Sequence, residues 1–281
     1  MKKTNRRDFI KLSGIGVATA ALWANGCSSE KPQSKGTSDG SLKLGMASYT
    51  FREFSLEEAI SMTRRLDLEW ISLKSFHLPL ESTEQAIKEA AEKVRASGIG
   101  LYGCGVIYMS SEQEVERAFQ YARAAGIKVI IGVPDHELLQ LVEEKVKEFD
   151  VKLAIHNHGP TDKLYPTPGS AYERIKGFDR RVGICLDVGH TQRAGVDPSE
   201  AAEKYKDRLL DVHIKDVTRS DKDGTTVEMG RGVIDIPRFI KTLLALNYQG
   251  CAALEFEKDG KDPLPGAAES IGFIKGVISV I

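Results

Sequence analysis

The 281-residue sequence has little cysteine, almost no net charge and no long apolar run. Four cysteines, at 27, 104, 185 and 251, form no disulfide framework. The last three fall inside expected strands and read as buried thiols acting as small hydrophobes. Thirty-nine Lys and Arg against forty Asp and Glu leave a formal charge of −1. That balance offers no electrostatic footprint for nucleic acid or for an anionic membrane surface. The apolar stretch at 12–23 is too short to span a bilayer. No Gly-x-Gly-x-x-Gly loop follows the first expected strand, which argues against a doubly wound dinucleotide-binding sheet.

The N-terminal region carries an address. Asn5-Arg6-Arg7-Asp8-Phe9-Ile10-Lys11 resembles the twin-arginine export signal, and residues 12–23 fit a signal h-region. Ala24-Asn25-Gly26-Cys27 resembles a bacterial lipobox, in which the cysteine is acylated. Residues 1–27 are therefore expected to be a signal peptide, with lipidation at Cys27. Residues 28–41, rich in Ser, Gly, Lys and Pro, read as a flexible linker. The expectation is an exported lipoprotein, periplasmic or outer-membrane-anchored, that meets the membrane only through its lipid.

From residue 42 onward, strand-like and helix-like segments alternate. Strands are expected at 44–49, 70–74, 101–106, 128–133, 151–155, 182–186, 209–214 and 252–256. Ser55-Leu56-Glu57-Glu58, Ser82-Thr83-Glu84-Gln85 and Ser111-Glu112-Gln113-Glu114 open helices with capping signals. Asp235-Ile236-Pro237 supplies a cap and a first-turn proline. Residues 158–169 and 218–232 read as long loops, and Gly230-Arg231-Gly232 as a turn. Eight strand–helix units over residues 42–281 predict one α/β domain, a (β/α)8 TIM barrel, whose active sites lie at the C-terminal ends of the strands.

Four apolar runs deliver polar groups at those ends. They are Lys152-Leu153-Ala154-Ile155-His156-Asn157-His158, Gly183-Ile184-Cys185-Leu186-Asp187-Val188-Gly189-His190, Leu209-Leu210-Asp211-Val212-His213-Ile214-Lys215-Asp216 and Cys251-Ala252-Ala253-Leu254-Glu255-Phe256-Glu257. Nitrogen and oxygen ligands arriving singly from separate strands suggest a divalent metal site. Each residue also has a plain structural reading. His213 alone fits a satisfied buried histidine, Asp187 a helix N-cap, and Glu255 a partner for lysine.

In this order of strand ends the sequence resembles the xylose isomerase-like TIM-barrel family of sugar isomerases and epimerases, with AP endonucleases as distant members. The specific part is Asp187-x-x-His190, then His213, then Glu255. The resemblance implies Asp187, His213 and Glu255 as metal ligands from the sixth, seventh and eighth strands. It implies His190 as a histidine facing substrate. At the fifth strand, where the family places a glutamate, this chain has His156. That site can be filled by His156, by His158 or by water. An imidazole there favours one Mn²⁺, Zn²⁺ or Fe²⁺ ion over Mg²⁺. It also removes one of the two carboxylates that family epimerases use to move a proton between faces of a sugar carbon.

The expected catalytic residues are Glu255, His190 and Lys215. Lys215 points to the same side of its strand as His213. It either stabilises developing negative charge or forms a salt bridge with Asp187 or Asp216. Lys74, His77, Tyr49, Tyr108, His158 and His190 are expected around the substrate. The implied reaction removes a proton α to a carbonyl through an enediolate. The substrate class is an unphosphorylated keto-sugar or 3-keto-glycoside, and the favoured outcome is lyase or hydratase chemistry. Isomerisation or epimerisation is the second reading, and an inactive sugar-binding lipoprotein the third. The expected partner is a small sugar or glycoside, without nucleic acid, and self-association is left open.

Overall fold

The computed structural model describes residues 42–281. The twin-arginine segment, Cys27 and the linker to residue 41 lie outside the described residues. Parallel strands β1 (Lys43–Ala47), β2 (Trp70–Leu73), β3 (Gly100–Met109), β4 (Val129–Pro134), β5 (Lys152–His156), β6 (Val182–Asp187) and β7 (Leu209–Ile214) lie side by side. A short antiparallel hairpin, β8 (Asp216–Val217) with β9 (Thr226–Val227), follows β7. The eighth barrel strand, β10 (Cys251–Leu254), pairs with β7 and with β1 and so closes the barrel.

The strands form because their runs are apolar on both faces, as a sheet covered by helices outside and by side chains inside requires. In β4, Val-Ile-Ile-Gly-Val-Pro is buried at every position after the first. The helices show the complementary 3.6-residue pattern. In the helix Ile236–Ala245, Ile236, Phe239, Ile240 and Leu243 form one buried stripe. A large side chain of this kind contributes about 1.5–3 kcal/mol when buried.

Helix starts follow the caps read from sequence. Ser55 and Glu58 make a reciprocal capping box, Ser111 caps the helix Glu112–Ala125, and Asp235 accepts from Arg238 N ahead of Pro237. Several boundaries differ from expectation. β3 runs on to Met109, past the expected end at 106. β1 stops at Ala47 and turns into the short helix Ser48–Phe51, which takes Tyr49 out of the strand. A helix at Val188–Arg193 begins directly on the last residue of β6.

The expected loop at 218–232 is pinned from its base. Asp216 is fully buried, and its carboxylate accepts from the backbone N–H groups of Val217, Gly230, Gly232 and Ile234. A Cβ on Gly232 would sit 2.1 Å from Asp216 Oδ1, so that approach needs glycine. Gly230-Arg231-Gly232 is thus a turn organised by a buried carboxylate.

Candidate metal and substrate centre

Strand register builds the site. In the β6–β7 pairing Asp187 stands opposite His213, and in the β5–β6 pairing His156 stands opposite Cys185. Residues two apart on a strand share a face, so Cys185 lies below Asp187, while Asp211, His213 and Lys215 form one column on β7. Glu255 follows β10, with its backbone N–H donating to the Ile214 carbonyl at 3.0 Å. One donor atom each from His156, Asp187, His213 and Glu255 falls within 4.8 Å of the others, and all four residues are buried.

His156 Nε2 lies 3.2 Å from His213 Nδ1 and 3.4 Å from Asp187 Oδ2, and His213 Nδ1 lies 3.4 Å from Glu255 Oε2. For ligands about 2.0–2.1 Å from a central cation, tetrahedral edges are about 3.3–3.4 Å. The spacing fits. The charges fit as well. Lys215 is the ammonium facing the three carboxylates Asp187, Glu255 and Glu257, at 2.9 Å from Asp187 Oδ2 and 2.6 Å from Glu255 Oε2. Lys215 lies off the hydrogen-bonding direction of Asp187 Oδ2, which has no hydrogen-bond partner. Two imidazoles and two carboxylates, both ion-paired with Lys215, form a donor set for Zn²⁺, Mn²⁺ or Fe²⁺.

Asp187 serves two ends of the structure at once. Its Oδ1 accepts from His190 N at 2.7 Å as the N-cap of the helix Val188–Arg193, while Oδ2 faces the cluster. The capping reading is realised through Oδ1, and Oδ2 is turned to the cluster of His156, His213 and Glu255. Gly189 explains the middle of the motif. A Cβ there would lie 2.4 Å from Lys215 Cγ, so glycine lets the lysine stem cross the helix start.

Electrostatics separate these groups. Burial works against the Lys215 charge, but Asp187, Glu255 and Glu257 hold its pKa well above the ordinary lysine value. Burial likewise opposes ionisation of Asp187 and Glu255, yet Lys215 keeps both below the usual carboxylate range. Burial lowers His156 and His190 to about 4, and His158 to about 3. These three imidazoles are neutral at pH 7 and available as ligands or hydrogen-bonding groups.

The remaining expected residues divide. His158 stacks near His156, with ring centroids 4.4 Å apart, and its Nε2 meets the Tyr108 hydroxyl at 3.1 Å. His190 completes a triangle of imidazoles, its ring centroid 6.0 Å from that of His156 and 5.6 Å from that of His158, and its Nδ1 meets Arg193 at 3.3 Å. Lys74 donates to the Val106 carbonyl at 2.5 Å and lies over the Tyr108 ring. Tyr49 packs on Phe76, 5.8 Å between centroids, and Phe76 is an exposed aromatic that sequence reasoning missed. His77 is different. Its Nδ1 meets Ser48 Oγ at 3.0 Å and its Nε2 meets the Phe51 carbonyl at 3.1 Å. Both ring nitrogens are spent holding the turn after β1, which leaves none for a ligand.

The sequence signature of the xylose isomerase-like TIM barrel matches residues 62–277. The chain belongs to the xylose isomerase-like TIM-barrel family. Within this family it is similar to the rhizopine catabolism protein MocC of Rhizobium meliloti, 28% identical over 137 residues. That match covers 43% of this chain and 42% of MocC, so the chain spans less than half of that relative. It is 25% identical over 228 residues to the inosose dehydratase of Clostridium perfringens, covering 73% of this chain and 74% of the relative. Among solved structures, the IOLI protein with a bound zinc atom superposes with a TM-score of 0.72, at 17% identity over 85% of this chain and 98% of that one. This likeness establishes the fold.

Proposed function

We propose that this xylose isomerase-like barrel is a divalent-metal-dependent lyase of the dehydratase or hydratase type, acting on a keto-polyol or keto-sugar without phosphate. The observation that carries the reading is the convergence of His156, Asp187, His213 and Glu255 from four strands, with Lys215 touching two of them. His156, Asp187, His213 and Glu255 would hold the cation, which supplies Lewis acidity to a carbonyl and its neighbouring hydroxyl.

The chain's own residues supply the rest. Glu255, held ionised by Lys215, is the carboxylate placed to accept the proton α to the carbonyl. The Lys215 ammonium places positive charge where the substrate oxygen gains negative charge. His190 and His158, both neutral at pH 7, lie together beside His156 and orient substrate hydroxyls. Cleavage of the β C–O bond, with the proton held by Glu255 passed to the departing oxygen so that water or alcohol leaves, then completes elimination, whereas return of that proton to carbon gives isomerisation. The strand-five position carries the imidazole of His156 in place of a carboxylate, and this favours elimination over a two-base proton transfer between Glu255 and strand five. The identity of one relative as an inosose dehydratase supports a cyclic keto-polyol or 3-keto-glycoside as the substrate class. Export through the twin-arginine segment and acylation of Cys27 are part of the same proposal, tested by cell fractionation and lipid labelling of a Cys27→Ser variant.

The test incubates the Mn²⁺- or Zn²⁺-loaded protein in D₂O with cyclic keto-polyols, 3-keto-glycosides and free ketoses. Elimination products are expected from at least one keto-substrate, and none from Glu255→Gln. Binding across the panel without elimination or C–H exchange overturns the enzymatic reading. Exchange with epimer formation and no elimination replaces it with the epimerase reading.

A further inference from the structure

Directly below the cluster, toward the N-terminal end of the barrel, lies Asp211, fully buried on the same face of β7 as His213. A buried carboxylate is costly unless it is paired. Asp211 Oδ2 accepts from the Cys185 thiol at 3.2 Å, Oδ1 has no aligned hydrogen-bond partner, and the Tyr102 hydroxyl lies beside the carboxylate. The imidazole it faces is His213, whose Nε2 is 3.6 Å from Asp211 Oδ2 and also has no partner. His213 therefore stands between two unlike surroundings. Nδ1 faces His156 and Glu255, and Nε2 faces a carboxylate. His156 has no such support, because its Nδ1 is unpartnered.

A neutral imidazole carries its proton on one nitrogen and a lone pair on the other, and a carboxylate beside one nitrogen draws the proton there. We propose that Asp211 is a positioning residue: it fixes His213 as the tautomer protonated on Nε2, so that the Nδ1 lone pair faces His156, Asp187 and Glu255. His213 then becomes the anchoring imidazole of the metal site and His156 the weaker one. The Cys185 thiol holds the carboxylate in place by donating to it. This inference rests on the metal-site reading above. It adds a residue that touches neither cation nor substrate.

Asp211→Asn keeps the shape and removes the charge, and Asp211→Ala removes the carboxylate altogether. For the full chain and both variants, Zn²⁺ and Mn²⁺ dissociation constants are measured by chelator competition. The metal-free proteins are followed by thermal unfolding and by the ¹⁵N shifts of the His213 ring. Loss of an outer partner of a metal-ligating histidine weakens metal binding about 10–100-fold. That loss is expected in both variants. The metal-free Asp211→Asn protein should melt at or above the native temperature, because a buried, poorly paired charge is gone. The His213 shifts should move from the Nε2–H form toward a mixture. Native metal affinity in both variants overturns the inference while leaving the metal site intact. Absence of metal binding by the native chain overturns the site and the inference together. Weaker binding accompanied by collapse of the metal-free melting temperature in both variants, with unchanged ring shifts, assigns Asp211 a structural role and also overturns it.

Discussion

The first four strands and the last four are built alike and used differently. Around β1 to β3, the strand-end polar groups are spent inside the protein. Ser48 accepts from Lys74 N and meets His77, and the Lys74 ammonium goes to the Val106 carbonyl. At the ends of β5, β6, β7 and β10 the imidazoles and carboxylates instead face one another. The buried imidazole and carboxylate atoms without hydrogen-bond partners (on His156, His158, Asp187, Asp211 and His213) all belong to this second half. A folded chain tolerates such atoms when something outside the chain completes them. The first half ties its strand-end groups mainly to its own backbone, although the Ser72 and Tyr102 hydroxyls also lack partners, whereas the second half turns its strand-end donors toward one common point.

The strongest challenge to that division is Glu255→Gln. It should cut kcat/KM by about 10²–10⁴-fold, the usual worth of a positioned proton-transfer group. Steady-state rates on the member of the keto-substrate panel that undergoes elimination measure it, and a change under tenfold would put the chemistry elsewhere.

Acidification comes next. The unfolded chain protonates His156, His158 and His190 below pH 6.5, whereas burial delays this in the folded protein to about pH 4 or 3. Stability of the metal-free protein should therefore fall as pH drops through that window and be insensitive to these three groups above it. His213, whose pKa is raised by Glu255 despite its burial, works in the opposite direction. Three groups against one predict a net loss on the order of 5 °C in melting temperature between pH 7 and pH 4.5. A flat scanning-calorimetry profile would contradict this electrostatic picture.

The first half is tested by His77→Ala. It should cost about 1 kcal/mol of stability by removing one hydrogen bond each from Ser48 Oγ and the Phe51 carbonyl, which keep the Lys74 and Phe54 backbone N–H groups, yet leave metal affinity unchanged. Denaturant unfolding and chelator competition on the same sample separate the two effects, and weakened metal binding would blur the division. The smallest effect belongs to Tyr108→Phe. Only the 3.1 Å contact to His158 is lost, at a half-exposed ring, so about 1 kcal/mol or less is expected, read as a modest rise in KM. A large fall in kcat would move Tyr108 into the chemistry.

Much of this was legible from the chain. The alternation of apolar runs with Ser55, Ser111 and Asp235 caps located the barrel elements, because caps and periodicity are local. The strand-end motifs marked His156, Asp187, His213 and Glu255. Asp211 escaped notice because one carboxylate in Leu-Leu-Asp-Val-His-Ile looks like ordinary strand alternation, and its burial depends on barrel closure. Gly189 gave no signal either, since the lysine that crosses it is distant in sequence. His77 misled for the converse reason. A histidine after a strand looks available until the turn at Ser48–Phe51 takes both of its nitrogens.

By itself the sequence determined the strand–helix rhythm, the helix starts and the kinds of donor that end the late strands, since each is written within a few neighbouring residues. Only the tertiary structure decided which donors meet. His156 and His213 are 57 residues apart, and Lys215 and Glu255 are 40 apart. Their contact depends on strand register, closure of β10 on β1, and the low-dielectric interior that gives each buried charge its partner.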